Sequence, residues 1–261
     1  YKMKKLLTLL LLLPMLAFAT FVEPVVQPDI KNIKLSSNTT INFNQAFTAE
    51  FVAKKQLEAM SKCFSGGGKD IYIVLYTPGG SISAGKLFYD TLNALPCKFH
   101  TITIFSASMG YQTVQNLGNR YILPSGTLMS HRASVSGLGG ELDSIIASIK
   151  TTVKEMETVA SDRVGISLEE YRSLISDELW MSGQEAVLKN HADAVVLVTC
   201  DSSLMGTSTE TVNTFFGALE VEYSDCPIVT APLRVSAANA NTTNEFKNYV
   251  NNLKNNVKTT L

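Results

Sequence analysis

Apolar residues recur along the chain in two alternating patterns. A continuous apolar run at Ile71 to Tyr76 is typical of a strand covered on both faces, and a second strand is predicted at His100 to Phe105. A helix is predicted after each strand, over Ala84 to Leu95 and then from about Met109 to Leu117. This alternation predicts βαβ units, and therefore an α/β fold with a mostly parallel sheet and flanking helices.

Other elements are predicted around this centre. A helix is expected over Ala46 to Cys63, and a long helix over Glu141 to Ala160. Shorter strands are expected at Arg120 to Leu123, Thr127 to Ser130 and Ala194 to Val198. The long helix carries an apolar stripe made of Leu142, Ile145, Ile146, Ile149, Val153 and Met156. Capping-box patterns mark two further helix starts, Ser167 to Glu170 and Ser182 to Glu185.

The first residues have the pattern of a secretory signal. Lys4 and Lys5 precede an apolar segment from Leu6 to Leu16, and a small-x-small cleavage pattern ends at Ala19. The sequence therefore predicts export to the periplasm or the exterior after cleavage near Ala19. Because the apolar character continues to Val22, an uncleaved membrane anchor remains the alternative.

The chain is predicted to contain four segments. Residues 1–19 comprise a cloning remnant before Met3 and the signal peptide, and residues 20–44 form an extended arm rich in Pro, Asn, Ser and Thr. Residues 45–200 form the main domain. Residues 201–261, rich in Ser, Thr and Asn, form a C-terminal appendage with a last helix near Asn244 to Lys258.

Composition narrows the class of function. The 261 residues are 45% apolar, which excludes a disordered chain. The 22 basic and 23 acidic residues leave no extended cationic surface, so no nucleic-acid partner is expected.

Four cysteines agree with export, because disulfides persist outside the cytosol. Cys63 and Cys97 each precede a predicted strand and lie at the same edge of a parallel sheet. This favours Cys63 with Cys97 and leaves Cys200 with Cys226, although free buried thiols are an open alternative. None has the spacing of metal ligands, so neither a metal nor another cofactor is expected.

The three histidines differ in their place on the predicted sheet. His100 opens its strand and His191 precedes another, so both lie at the amino-terminal edge. His131 directly follows Thr127 to Ser130 and reaches the carboxyl-terminal edge, where α/β proteins place their sites. His131 is therefore the candidate general base.

A candidate nucleophile lies at the same edge. Ser108 stands between a strand and a helix, where the positive end of the helix and the unpaired Met109 amide favour a developing oxyanion. A second turn, Thr77-Pro78-Gly79-Gly80-Ser81, also follows a strand and brings bare backbone close to a substrate. The combination is typical of acyl transfer.

These motifs resemble those of the Clp protease proteolytic subunits, serine peptidases of the Clp/crotonase fold. The resemblance covers about residues 45–198 and includes 23 residues from Ser108 to His131. The matching strings are TPGGSISAG at 77–85, SASMG at 106–110, LPSGTLMSHR at 123–132 and WMSGQEAV at 180–187.

The resemblance implies a role for each motif. Ser108 would be the nucleophile, His131 the base, and the amides of Gly79 and Met109 the oxyanion hole, with Gly80 and Ser81 contacting the peptide. The helix from Glu141 would be a handle that packs against another subunit in a homo-oligomeric ring. Substrates would be extended peptides or unfolded proteins.

The third member of the triad departs from the family pattern. The family has an aspartate where this chain has Glu178, and Asp177 is adjacent. Because a glutamate can also orient an imidazole, Glu178 is preferred with Asp177 in reserve. An export signal also separates this chain from a cytosolic ATP-driven unfoldase, which is not expected as a partner.

Three alternatives remain at this point. The altered acid and the appended tail are compatible with an inactive oligomeric scaffold. Exported relatives of the fold such as signal peptide peptidase A use a serine and lysine pair, for which Lys150 or Lys154 is available. A crotonase-like acyl-CoA enzyme would share the fold and the paired amides, but it gives no reason for Ser108 with His131.

Overall fold

The computed structural model describes residues 30–66, 70–134, 142–215 and 217–237, together with Asn244. The side chains of residues 142–146 fall outside this description. So do the predicted signal and all of the predicted last helix except Asn244.

In the part of the chain described, the main sheet has seven strands. The helices of the described chain are α1 (Ala49–Gly66), α2 (Ile82–Ala94), α3 (Met109–Asn116), α4 (Leu142–Val164), α5 (Leu168–Leu174) and α6 (Gly183–Leu188). The strands of the main sheet are β1 (Lys31–Leu35), β2 (Thr40–Phe43), β3 (Asp70–Thr77), β4 (Lys98–Ala107), β5 (Arg120–Ser130), β6 (Leu179–Ser182) and β7 (Ala194–Cys200). The strand order is β1-β7-β5-β4-β3-β2, with parallel pairing throughout, and β6 pairs antiparallel with β5. The mixed α/β fold with a mostly parallel sheet is confirmed.

The strands are covered on both faces, as their apolar runs predict. In β3, Ile71, Ile73 and Leu75 pack into the larger cluster beneath the helices, whereas Tyr72 and Val74 face the smaller cluster on the other side. The alternation follows directly from the two-residue period of a strand. Burial on both faces fixes the register and holds the ends of neighbouring strands in place.

Residues 31–43 differ from the predicted arm. They form β1 and β2, which pair parallel with β7 and β3, and Leu35, Ile41 and Phe43 are fully buried. The strands have 5 and 4 residues and include Lys and Asn. Segments this short carry too few apolar positions for a periodic pattern, so the sequence misses them.

The strand β5 also differs from the prediction of two short strands. It runs from Arg120 to Ser130 without a break, but its pairing with β4 slips between Thr103 and Phe105. The slip accommodates the Pro124-Ser125-Gly126 stretch, which the sequence analysis placed between two strands. The second half of β5 therefore resumes pairing in the register that ends at Ser130.

Both predicted disulfides are confirmed. Cys63 and Cys97 lie 5.8 Å apart between their Cα atoms and tie the end of α1 to the residue before β4. Cys200 and Cys226 lie 5.9 Å apart and tie the end of β7 to the tail. Leu204 and Cys226 thereby cover the smaller apolar cluster of the main sheet.

The tail forms a second sheet in the described residues. Its strands β8 (Thr207–Thr214), β9 (Gly217–Ser224) and β10 (Arg234–Ala237) are antiparallel in the order β10-β9-β8. Strand β8 is almost entirely exposed. None of the helices in the described segments is long and apolar enough to cross a membrane.

Candidate active site

Three adjacent strands deliver the candidate residues to one edge of the sheet. Strand β3 ends at Thr77, β4 at Ala107 and β5 at Ser130. Thr77 pairs with Ser106, and Ala107 with Met129, so the chain leaves all three strands at nearly the same level. The glycine turn, Ser108 and His131 are therefore brought together by register, as the topology predicted.

Ser108 has a strained backbone at the start of α3. Its φ is 56° and its ψ is −114°, a conformation that residues with a Cβ rarely adopt. The Ser108 amide donates to the Met129 carbonyl at 2.9 Å, which holds the residue against β5. The hydroxyl makes no hydrogen bond to any described residue, and it does not cap α3. The strain thus presents an unengaged hydroxyl rather than a helix cap.

Ser108 and His131 line the same cavity of about 100 Å³. Its walls include Gly80, Met109 and the helix α4. His131 is partly exposed there, with no hydrogen bond to a described residue. A hydrogen bond between a nucleophile and its base is often completed only when substrate binds, so its absence here does not exclude the pair.

The other two histidines have structural partners. The Asn119 amide donates to His100 Nδ1 at 2.9 Å. The buried His191 is bonded at Nδ1 to the Tyr111 hydroxyl at 2.7 Å. Burial, with Arg120 nearby, lowers the pKa of His191 to about 4, so its imidazole is neutral at neutral pH.

Comparison with known proteins gives the family. The model of the Clp protease family matches residues 32–198. The ATP-dependent Clp protease proteolytic subunit of Streptococcus gordonii strain Challis is 32% identical over 136 residues, which are 49% of this chain and 69% of that protein. The subunits of the same name from Streptococcus agalactiae serotype V and Streptococcus pneumoniae strain Hungary19A-6 are 34% and 32% identical over the same shares.

This chain belongs to the Clp protease family. The match begins inside β1, so the two strands missed by sequence analysis are part of the family domain. It ends within β7, and the antiparallel sheet of the tail lies outside the match.

Within this Clp protease family member, the two glycines of the turn behave differently. The Gly79 amide donates to Thr77 Oγ1 at 3.2 Å, and the Gly79 carbonyl accepts from the Phe47 amide at 2.8 Å. A Cβ on Gly79 would come within 2.6 Å of the Ser108 Cβ, so only glycine fits at its φ of 97°. Gly80, rather than Gly79, lines the cavity.

The candidate acids are both exposed. The pairing of β5 with β6 ends at Ser130 and Leu179, one residue short of His131 and Glu178. Glu178 has a φ of 66°, and its carboxylate accepts from Trp180 Nε1 at 3.1 Å. Asp177 has no hydrogen bond within the described chain. Neither acid is hydrogen-bonded to His131 in the described residues, so the orienting role of Glu178 stays a prediction.

The lysine alternative has less support. Lys150 and Lys154 are on α4, and both are exposed and absent from the described cavity lining. Val153 and Met156 of the same helix do line it. The predicted handle helix therefore faces the site with apolar residues. Its packing against another subunit stays a prediction.

Two buried polar residues of the cavity were missed by sequence analysis. Gln112 on α3 and Glu157 on α4 both line the cavity and are buried. The available signal was the position of Glu157, four residues after Val153 and next to Met156, which puts a carboxylate on the apolar stripe. No group of His, Cys, Asp and Glu in the described segments could hold a metal ion.

Proposed function

We propose that this chain is a serine endopeptidase. Membership of the Clp protease family implies a peptidase, and the serine type is supported by one observation above all. The strained Ser108 presents a hydroxyl to the same cavity as His131. A conformation this costly persists only where the surrounding structure enforces it, and such sites are commonly functional.

The proposed reaction follows the roles of a serine hydrolase. The Ser108 oxygen attacks the peptide carbonyl while His131 accepts the hydroxyl proton and then passes it to the leaving amine. The amides of Met109 and Gly80 donate to the oxyanion. Met109 is the first residue of α3, so its amide has no acceptor within the helix. Water then attacks the acyl-enzyme, with His131 again as the base.

Glu178 is proposed to orient His131. Continued by one residue, the pairing of Ser130 with Leu179 would put Glu178 opposite His131, where a carboxylate would favour one tautomer and stabilise the imidazolium that forms during attack. Because the side chain is exposed, its electrostatic contribution is weakened by solvent.

The proposed setting is outside the cytosol. The secretory-signal pattern and the two disulfides both fit an oxidising compartment. We therefore do not extend to this chain the ATP dependence named for its relatives. A homo-oligomeric ring acting on extended peptides or unfolded proteins is proposed by analogy with the family.

A fluorophosphonate probe tests the nucleophile. We expect the wild-type protein to be labelled on Ser108, as located by mass spectrometry, and Ser108→Ala to remain unlabelled. Ser106→Ala is the matched control, because Ser106 is a buried serine on the preceding strand. A folded wild type without labelling would instead favour the inactive scaffold. Native mass measurement on the same sample tests the ring.

A further inference from the structure

The cavity beside Ser108 contains two buried polar groups that the proposed reaction does not use. Gln112 is 8% exposed and Glu157 is 7% exposed. Both line the cavity shared by Ser108 and His131. Burying an amide or a carboxylate costs free energy unless each polar atom finds a partner, so their contacts indicate what the cavity is built to hold.

The Gln112 amide is satisfied at one end only. Its Nε2 donates to the Tyr171 hydroxyl at 3.2 Å, and this hydroxyl also bonds to Ser130 Oγ at 2.9 Å. The Gln112 Oε1 is buried without a hydrogen-bond partner in the described structure. A buried acceptor left unpaired costs free energy, which a ligand donor would recover.

The Glu157 carboxylate is also incompletely used. Arg172 Nε donates to Glu157 Oε2 at 2.7 Å. The Arg172 side chain is 44% exposed and approaches from solvent, where its charge is screened. No donor from the described residues is bonded to Glu157 Oε1. The cavity is therefore lined by two buried residues that each have an unused acceptor atom, and one of the two is a carboxylate.

The rest of the cavity suits an aliphatic chain. Met109, Val153 and Met156 line it with apolar atoms. A lysine or arginine side chain combines such an aliphatic stem with a head group that only donates hydrogen bonds. The aliphatic stem matches the apolar walls, and the head group matches the acceptors on Gln112 and Glu157.

We propose that this cavity binds the side chain of the residue preceding the scissile bond and selects a basic one. The inference rests on the proposed peptidase function, because Ser108 at the cavity wall fixes where the scissile carbonyl lies. Glu157 and Gln112 would thus be specificity-determining residues.

Two peptide phosphonates that differ only in that residue test the inference. One carries lysine and the other norleucine, which keeps the aliphatic stem and lacks the ammonium group. We expect the lysine reagent to modify Ser108 about tenfold faster, as a charge-assisted hydrogen bond allows. Equal or faster reaction of the norleucine reagent overturns the inference. The peptidase proposal is judged separately, because the small fluorophosphonate probe needs no side chain in the cavity.

The variant Glu157→Gln assigns the selectivity to the carboxylate. We expect the ratio of lysine to norleucine rates to fall close to one. Glu155→Gln is the matched control, since Glu155 is an exposed glutamate on the same helix. An unchanged ratio in Glu157→Gln overturns the assignment. Should that variant not fold, Gln112→Met, which removes the other acceptor, is expected to lower the ratio as well.

Discussion

Polar side chains at the amino-terminal ends of the parallel strands are hydrogen-bonded to one another, whereas the candidate catalytic side chains at the carboxyl-terminal ends are not. At the amino-terminal ends of β5 and β7, Arg120 donates to Asp193 at 2.6 and 3.0 Å and to Gln115 at 2.7 Å. His191 is closed into the same region by Tyr111. At the carboxyl-terminal ends, Ser108 and His131 have no described side-chain partners and face a cavity. We call this edge of the sheet the open end, and the amino-terminal edge with Arg120 and His191 the closed end.

This difference separates groups that stabilise the fold from groups available for chemistry. Burial raises the pKa of Asp193, but the hydrogen bonds from Arg120 outweigh it and hold that pKa below its ordinary value. An ion pair that is satisfied in this way has no spare capacity for a substrate. The strained Ser108 and the partly exposed His131 have that capacity, and the same fold supplies the support for both.

Removing the imidazole at the open end gives the largest expected effect. His131→Ala is expected to lower kcat/KM for a peptide substrate by about 10⁴-fold or more, because the nucleophile loses its base. The free energy of unfolding is expected to change by less than about 1 kcal/mol, since His131 is partly exposed and unbonded. Peptide hydrolysis and urea denaturation measure the two quantities.

The lysine alternative provides the contrary outcome. Activity that survives in His131→Ala and disappears in Lys150→Ala or Lys154→Ala would replace the imidazole with a lysine base. It would also show that residues of α4 outside the cavity lining take part in the reaction.

The closed end is expected to determine how stability depends on pH. The pKa of His191 is about 4 in the folded protein and about 6.5 when unfolded, so the unfolded state binds more protons between these values. Stability is therefore expected to decrease as the pH falls from about 6.5 to 4, by up to ~3 kcal/mol. Denaturation at several pH values measures this.

The variant His191→Gln is the control for that pH dependence. Glutamine can still accept from Tyr111 but does not titrate, so the decrease between pH 6.5 and 4 should become smaller. The lowered pKa of Asp193 affects stability only below about pH 4, outside the pH range in which His191 is expected to act. A variant with the same pH profile as the wild type would assign the effect to other groups.

The sequence predicts the open end better than its surroundings. Ser108 and His131 each directly follow a predicted strand, so strand order alone places them at the same edge of the sheet. Glu157 and Gln112 line the same cavity only because α3 and α4 pack against each other, and a single sequence contains no signal for that packing. The same limit applies to β1 and β2, which are buried by pairing rather than by their own periodicity.

The acid was the least determined part of the site, for a physical reason. Alignment with the motif at Trp180 gives Glu178 the role of the orienting acid, but the antiparallel pairing ends one residue earlier, at Ser130 and Leu179. Its φ of 66° and its bond to Trp180 depend on how β6 begins. Local sequence determines which residue occupies the position but leaves the direction of its carboxylate open.

The smallest expected effect measures how far Glu178 acts on the imidazole. Glu178→Gln is expected to lower kcat by about tenfold with little change in KM, which is less than a buried triad acid provides, because solvent weakens its electrostatic effect. Asp177→Asn, a change of the same kind one residue earlier, is expected to stay within about twofold of wild type. A larger loss in Asp177→Asn than in Glu178→Gln would reverse the assignment. If both variants kept full activity, His131 would be oriented by backbone and cavity contacts alone, and the open end of the sheet would work as a pair of residues rather than a triad.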